Sequence, residues 1–264
     1  MSDMRLIEKL KQFVFDNKTN SCLPYINLTN DNQYAGWVNA SGSNGVNLPL
    51  KLNLMKEWDM FCLFVLASAW SRTGPWENAV YFVDVLRMTF NNTKNIDIKT
   101  LRKDCDAFVQ KHGHLLEDKG KIRKRLAFRT DLYPSLKVLC QNWNKIQQNI
   151  DKSSKSGVWE DFVRYIREIK GLGSGERKMN MKIALILREL RCQNVYNGIP
   201  GDLCCVADAR VKEAYTNEIG YLPNAYPCFI RASRQIYKDF GDLYDIPAFA
   251  YNDYKQRVRK NDER

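Results

Sequence analysis

Apolar side chains recur along the chain at helical spacing, i, i+3, i+4 and i+7, and the strict alternation of a half-buried strand is nearly absent. Residues 1–17 read as an amphipathic helix, and residues 18–50, rich in Asn, Gly, Ser and Pro, as an irregular region. A strongly apolar helical pattern covers 51–90. Leu54, Trp58, Phe61 and Leu63 lead it, and it breaks at Gly74-Pro75. Further helices are predicted over 97–112 and 131–150. In residues 158–170, Trp159, Phe162, Val163, Ile166 and Ile169 share one helix face. That pattern stops at the glycine-rich segment 171–175. A second helix follows, with Met179, Ile183, Ile186, Leu187 and Leu190 on one face. The fold class expected is all-α.

Length and composition narrow the function. A chain of 264 residues is enough for one large domain, or two small lobes sharing a cleft. The apolar fraction of 44% is ordinary, but 41 Lys and Arg against 30 Asp and Glu give a formal charge of +11. Such an excess calls for a polyanionic partner, nucleic acid or an anionic membrane. A membrane span is not expected: no run reaches ~18 apolar residues. The longest apolar stretch, 60–70, is interrupted by Ser68 and reads as a buried helix. The N-terminal residues carry Asp3 and Glu8 and lack a signal-peptide core, so Asn27, Asn39 and Asn91 are chance glycosylation matches.

Metal and nucleophile chemistry that depends on Cys or His is not expected. The eight cysteines form no C-x-x-C pair and no ladder suited to zinc or an iron–sulfur cluster. They read as reduced, mostly buried thiols. His112 and His114 are the only histidines, too few for a His-based metal site or a Ser-His-Asp triad. No cofactor and no metal are expected.

The turn between the two helices of 158–191 is Gly171-Leu172-Gly173-Ser174-Gly175, followed by Arg177 and Lys178. Glycines let backbone approach another molecule closely, and the unpaired amides opening the second helix favour a phosphate. Gly171, Gly173, Ser174, Gly175 and Arg177 are therefore candidate contacts to a DNA backbone; the plainer alternative is an ordinary helical corner. Further on, a loop from Ile199-Pro200-Gly201-Asp202 through Cys204-Cys205-Val206-Ala207 reaches Asp208-Ala209-Arg210-Val211. Asp208 is a good N-cap for the helix that starts there. Facing a cleft, it would also stabilise a sugar cation.

These residues resemble a family. A Gly-Leu-Gly hairpin before a Lys-bearing helix, then a loop to Asp-x-Arg-Val, resembles the helix-hairpin-helix DNA glycosylases, and among them the archaeal 8-oxoguanine glycosylases of the AGOG type. The match covers residues 169–211. Asp31-Asn32-Gln33-Tyr34 resembles that family's early Asp-Pro-Gln-aromatic segment, and Trp70 and Trp76 flank a glycine where the family places base-stacking tryptophans. The resemblance implies a two-lobed helical bundle with its active site in the cleft between lobes, one glycosylase domain over 1–264, a hairpin at about 158–191 and a catalytic Asp loop at about 199–211.

It also implies roles. A Lys on the second hairpin helix attacks sugar C1′, and Asp208 stabilises the departing state. The Lys is Lys178 or Lys182. Lys178 gives a thirty-residue spacing to Asp208 and lies nearer the expected helix start. Lys182 opens the pattern Lys182-x-Ala184-Leu185-Ile186-Leu187 and lies closer to the apolar face. A helix N-terminus and burial both disfavour an ammonium and so favour a nucleophilic amine. If neither attacks, Asp208 would activate water. Gln33, Trp37, Trp70 and Trp76 are candidates for the pocket that takes the flipped base.

Residues 119–129 hold six cations in eleven positions. Lys121, Arg123, Lys124 and Arg125, interleaved with Leu126 and Phe128, are candidate phosphate contacts, as is Arg210; a solvated face is the plainer alternative. The tail 254–264 reads as solvated and frayed. The expected partner is double-stranded DNA, bound by a monomer in the cytoplasm at the nucleoid, or in a nucleus if the cell has one. The default substrate is 8-oxoguanine, with β-lyase activity through a Lys Schiff base where Lys attacks. The alternatives are excision of a hypermodified base from foreign DNA as a defence, a non-catalytic helix-hairpin-helix module, and a nucleoside-level glycosidase, against which the cation excess argues.

Overall fold

The structure is a computed structural model and describes residues 4–20, 22–38, 51–70, 76–91, 93, 95–113, 117–118, 121–122, 126, 131–172, 180–196, 198–223 and 229–262. The fold is all-helical. The order is α1 (Met4–Asp16), α2 (Glu57–Ala69), α3 (Trp76–Phe90), α4 (Ile98–His112), β1 (Glu117–Asp118), β2 (Lys121–Ile122), α5 (Leu132–Ser156), α6 (Trp159–Ile166), α7 (Met181–Cys192), α8 (Ala209–Ala214), α9 (Phe229–Phe240), α10 (Ile246–Phe249) and α11 (Tyr251–Asp262). The two-residue strands pair antiparallel, with Glu117 opposite Ile122 and Asp118 opposite Lys121. They lie in and beside the basic segment 119–129, which was not expected to hold strand. Among the described residues no helix is long and apolar enough to cross a membrane.

The chain divides into two compact units, Met1–Gly45 with Glu176–Arg264, and Val46–Gly175. The helices on either side of the glycine-rich turn fall in different units: α6 belongs to the central unit and α7 to the unit built from both chain ends.

The central unit is organised on α2, which is apolar on every side and buried along its length, as the run 60–70 predicted. It packs on α3 and α5. Trp143 of α5 sets its indole edge-on to Phe61 and Phe64, at 5.2 and 5.3 Å between centroids, and its Nε1–H donates to Glu57 at 3.0 Å. The helix starts at Glu57, not at residue 51. Leu52 and Leu54 are buried from a non-helical lead-in, where Asp59 accepts the Asn53 N–H at 2.8 Å. Asp97 caps α4 by accepting from Lys99 and Thr100. Helix α5 outruns its predicted end at 150, because the polar stretch 151–156 continues the helix without apolar periodicity until Gly157, at φ +74°, ends it.

Helix α6 is shorter than its apolar pattern. Beyond Ile166 the chain tightens into turns bonded i to i−3, Glu168 N–H to Tyr165 O and Ile169 N–H to Ile166 O, so Ile169 stays buried without being helical. These turns end at Gly171, whose φ is +95°. A Cβ on Gly171 would lie 2.6 Å from Ser135 Cβ and 2.8 Å from Ser68 Oγ. Its glycine is thus required by packing inside the central unit. The remaining hairpin candidates, Gly173, Ser174, Gly175, Arg177 and Lys178, lie outside the described residues, as do Arg123, Lys124 and Arg125.

In the unit built from the two chain ends, α1 packs on α9, α10 and α11, and α8 packs on α10 and α11. The tail is helical to Asp262, not frayed from 254, because α11 docks on α1. Tyr254 meets the Phe13 ring edge-on at 5.8 Å, and Arg257 lies over the same ring and donates to Asn17 Oδ1 at 3.3 Å.

Gly171→Ala is expected to destabilise the protein by about 2–4 kcal/mol, from left-handed strain plus overpacking, read as a lower denaturation midpoint. Adding Ser135→Gly should recover part of the loss by removing the clashing Cβ.

Candidate active site

The site is best built from α7 outward. Asn180 caps this helix, its Oδ1 accepting from Lys182 N–H at 2.9 Å and Ile183 N–H at 3.2 Å. The helix therefore begins at Met181, and Lys182, half-buried, stands in its first turn at the positive end of the helix dipole. The sequence pattern had put the helix start nearer Lys178. From Ile183 to Leu190 every residue is buried, including the adjacent charges Arg188 and Glu189.

Arg188 is 0% exposed and reaches two carboxylates: Nη1 donates to Asp245 Oδ1 at 2.7 Å, and Nε to Glu189 Oε1 at 3.3 Å. Burial works against its charge, and the Asp245 carboxylate more than restores it, so the guanidinium is held firmly protonated. Glu189 also accepts the backbone N–H groups of Trp37, at 2.9 Å to Oε2, and of Val38 at 3.1 Å. Gly36, at φ +90°, lets the chain come this close, since a Cβ there would collide with the Glu189 carboxylate. Asp245 Oδ1 accepts in addition the Val206 N–H at 2.7 Å. One buried ion cluster thus ties the segment around residue 37 and the loop before Asp208 to α7.

Burial and hydrogen bonding hold that loop in place. Cys204, Cys205, Val206 and Ala207 are buried, and Cys205 N–H donates to Ser233 Oγ at 3.0 Å. Asp208 follows at the N-cap of α8, its Oδ1 accepting from Val211 N–H at 3.0 Å, as the sequence predicted. Burial pushes the Asp208 carboxyl above the usual carboxylate range. The Val211 N–H pulls it back, the Asp245 charge adds to the rise, and Arg210 opposes it.

Arg210 is exposed, with its guanidinium 4.7 Å over the Phe249 ring. Phe249 is met edge-on by Tyr25 at 4.9 Å and by Trp37 at 5.2 Å. The Tyr25 hydroxyl bonds the Asp253 carboxylate, and burial raises the phenol far above its ordinary value. Trp37, an expected base contact, is thus half-buried in an aromatic cluster with Tyr25 and Phe249.

The other predicted residues are placed separately. Gln33 has an exposed side chain on a tight turn in which Thr29 and Gln33 exchange hydrogen bonds, and it borders a pocket of about 330 Å³ in the same unit as Asp208. Trp70 and Trp76 belong to the central unit, half-buried and edge-to-face at 5.9 Å and 88°. Lys121 lies on β2. Among the described residues no group of three or more His, Cys, Asp or Glu is placed to hold a metal ion. Among the seven described cysteines none is joined in a disulfide; Cys22 is exposed, Cys140 and Cys192 half-buried and the rest buried.

Sequence reasoning missed Arg188, Glu189 and Asp245. The first two left a signal, since an Arg-Glu pair inside an unbroken run of core positions has no solvated face to occupy. Asp245 left none, its partner being 57 residues away.

Arg188→Met should cost about 3–5 kcal/mol, because it leaves two buried carboxylates without their cation; chemical denaturation reads it. Asp208→Asn keeps the cap and removes the unfavourable buried charge. A carboxyl raised in the folded state loses stability as pH rises above ~4. The variant should therefore melt above the wild type at pH 7, with the gain shrinking towards pH 4.

In comparisons with known proteins, no family model, no curated protein and no solved structure matches the chain.

Proposed function

We propose that this protein is a DNA N-glycosylase that excises a damaged or modified base, with Asp208 as its catalytic carboxylate. The observation that carries the reading is the placement of Asp208. It is a half-buried carboxylate, raised by burial, oriented by the α8 cap and fixed by a loop bonded to the buried ion cluster. A carboxylate in a low-dielectric setting stabilises positive charge far better than one in water. As the bond from C1′ to the base breaks, positive charge develops on the sugar, and Asp208 would hold that charge and orient the incoming nucleophile.

The nucleophile is water or an amine. Lys182 is suited to the second role, since an ammonium in the first turn of α7 stands against the positive end of the helix. Lys178 remains the other choice. Arg210 is exposed beside Asp208 in sequence and suits a phosphate contact. The formal charge of +11 supplies the sequence-independent attraction to a duplex, which should weaken steeply with salt.

The test is excision from duplexes carrying 8-oxoguanine, an abasic site or a panel of modified bases, read by alkali cleavage and by borohydride trapping. Asp208→Asn is expected to reduce excision by about 10²–10⁴-fold while duplex binding persists. An adduct lost in Lys182→Gln or in Lys178→Gln identifies the amine. Excision without any adduct assigns the attack to water. Salt-dependent binding with no excision on any duplex would sink the proposal and leave a non-catalytic DNA-binding module.

A further inference from the structure

A second site lies in the unit that holds Asp208. A pocket of about 330 Å³ is walled by Gln33, Tyr34, Arg191, Asn194, Asp242 and Tyr244, among others. Three of the four non-glycine residues with left-handed φ among those described sit in it or beside it: Asn194 and Tyr244, both at +54°, and Asn32, at +58°, next to Gln33. An aromatic residue in that region is a genuine outlier, and strain of this kind gathers at sites of function. Tyr244 is held there by Arg191 Nε, which donates to its hydroxyl at 3.0 Å, and by the buried Asp245 that follows it.

The lining states what would bind. Arg191 and Asp242 are the charged residues of the wall, and they pair with each other at 3.2 Å, so the pocket as a whole asks for a neutral ligand. Arg191 also spends a donor on Ile199 O at 2.8 Å, which leaves it poorly placed to clamp an anion. Tyr34 and Tyr244 touch edge-to-face at 5.9 Å and 64°. Two rings in that arrangement leave no parallel slot for a flat heterocycle.

What remains is hydrogen-bonding capacity of both senses. The side-chain amides of Gln33 and Asn194 have no partner among the described residues. Asp242 takes both of its bonds, from Arg191 and Tyr237, on Oδ1, which leaves Oδ2 as an acceptor. Cys192, also in the wall, has its thiol pushed up to about 12 by burial and stays a neutral thiol. Ligand hydroxyls donate and accept at once, so a ring bearing several of them matches amides and a carboxylate set around one hollow.

We infer that this pocket binds a neutral polyhydroxylated ring of hexose size. The sugar is either free or carried as a substituent on a modified base. Only the second source rests on the proposed glycosylase reading.

Isothermal titration of the full chain with methyl α-D-glucopyranoside reads the first source, and titration with a duplex bearing a hexosylated cytosine, against the unglycosylated duplex, reads the second. Gln33→Ala and Asn194→Gly remove the amides; both sites are outside the core, and Gly suits the left-handed φ of Asn194. Saturable binding of the free sugar, with Kd on the order of 1 mM, or tighter binding of the hexosylated duplex than of the plain one, is expected. Either should weaken at least about tenfold in both variants, with unchanged melting temperature. Sugar-specific binding that ignores both substitutions, no sugar-specific binding at all, or tighter binding of a plain nucleoside than of the glucoside would overturn the inference. These titrations need no catalysis, so this inference and the assignment of Asp208 can fail separately.

Discussion

One guanidinium out of reach of water sets the terms for the rest of its unit. Arg188 lies in the fully buried stretch of α7 from Ile183 to Leu190, and a bare charge there would be untenable. It is tolerated because Asp245 and Glu189 come to it, and those carboxylates in turn need donors for their remaining lone pairs. The backbone N–H groups of Trp37, Val38 and Val206 supply them. Segments far apart in the chain are thereby committed to fixed positions on α7. Such a cluster adds little net stability over a well-packed apolar core, but breaking it from one side is costly. Its product is position.

Both candidate sites draw on that product. Val206 is two residues before Asp208, so the bond that satisfies Asp245 also fixes the approach to the α8 cap. Tyr244, with its left-handed backbone, immediately precedes Asp245, so the ion pair of Asp245 with Arg188 also anchors the chain beside the pocket. The strain at Tyr244 and the raised carboxyl of Asp208 are unfavourable taken alone. A scaffold anchored on a buried ion cluster can hold both, as functional sites commonly require.

The legible part of the sequence was what periodicity and end chemistry encode. The apolar helices and the cap at Asp208 follow from local rules, and both are present. Departures occur where tertiary contact outweighs local pattern. The polar residues 151–156 extend α5 with no apolar stripe to announce them. Ile169 keeps its buried place while tight turns replace the helix. The charged tail is ordered because Tyr254 and Arg257 find Phe13. The ion cluster was illegible because its partners lie far apart, and a charge in an apolar run shows that it must be paired without showing with what. The pocket beside Tyr244 was hidden for a similar reason: left-handed φ at a tyrosine is a product of the fold, not of its residue type.

The capping role of Asp208 leaves room for the catalytic role proposed for it. A carboxylate offers about four lone-pair sites, and the Val211 N–H occupies one. The cap therefore orients the group without exhausting it. Replacing Asp by a residue that caps equally well separates the two duties, because the amide of Asn keeps an acceptor for α8 but carries no charge to set against a developing cation. A cap gains something from its charge through the Val211 N–H, but at Asp208 burial outweighs that gain and opposes ionisation. The ionised state of Asp208 is a cost to the fold, and a reaction that builds positive charge beside it is the kind of event that would turn this cost to use.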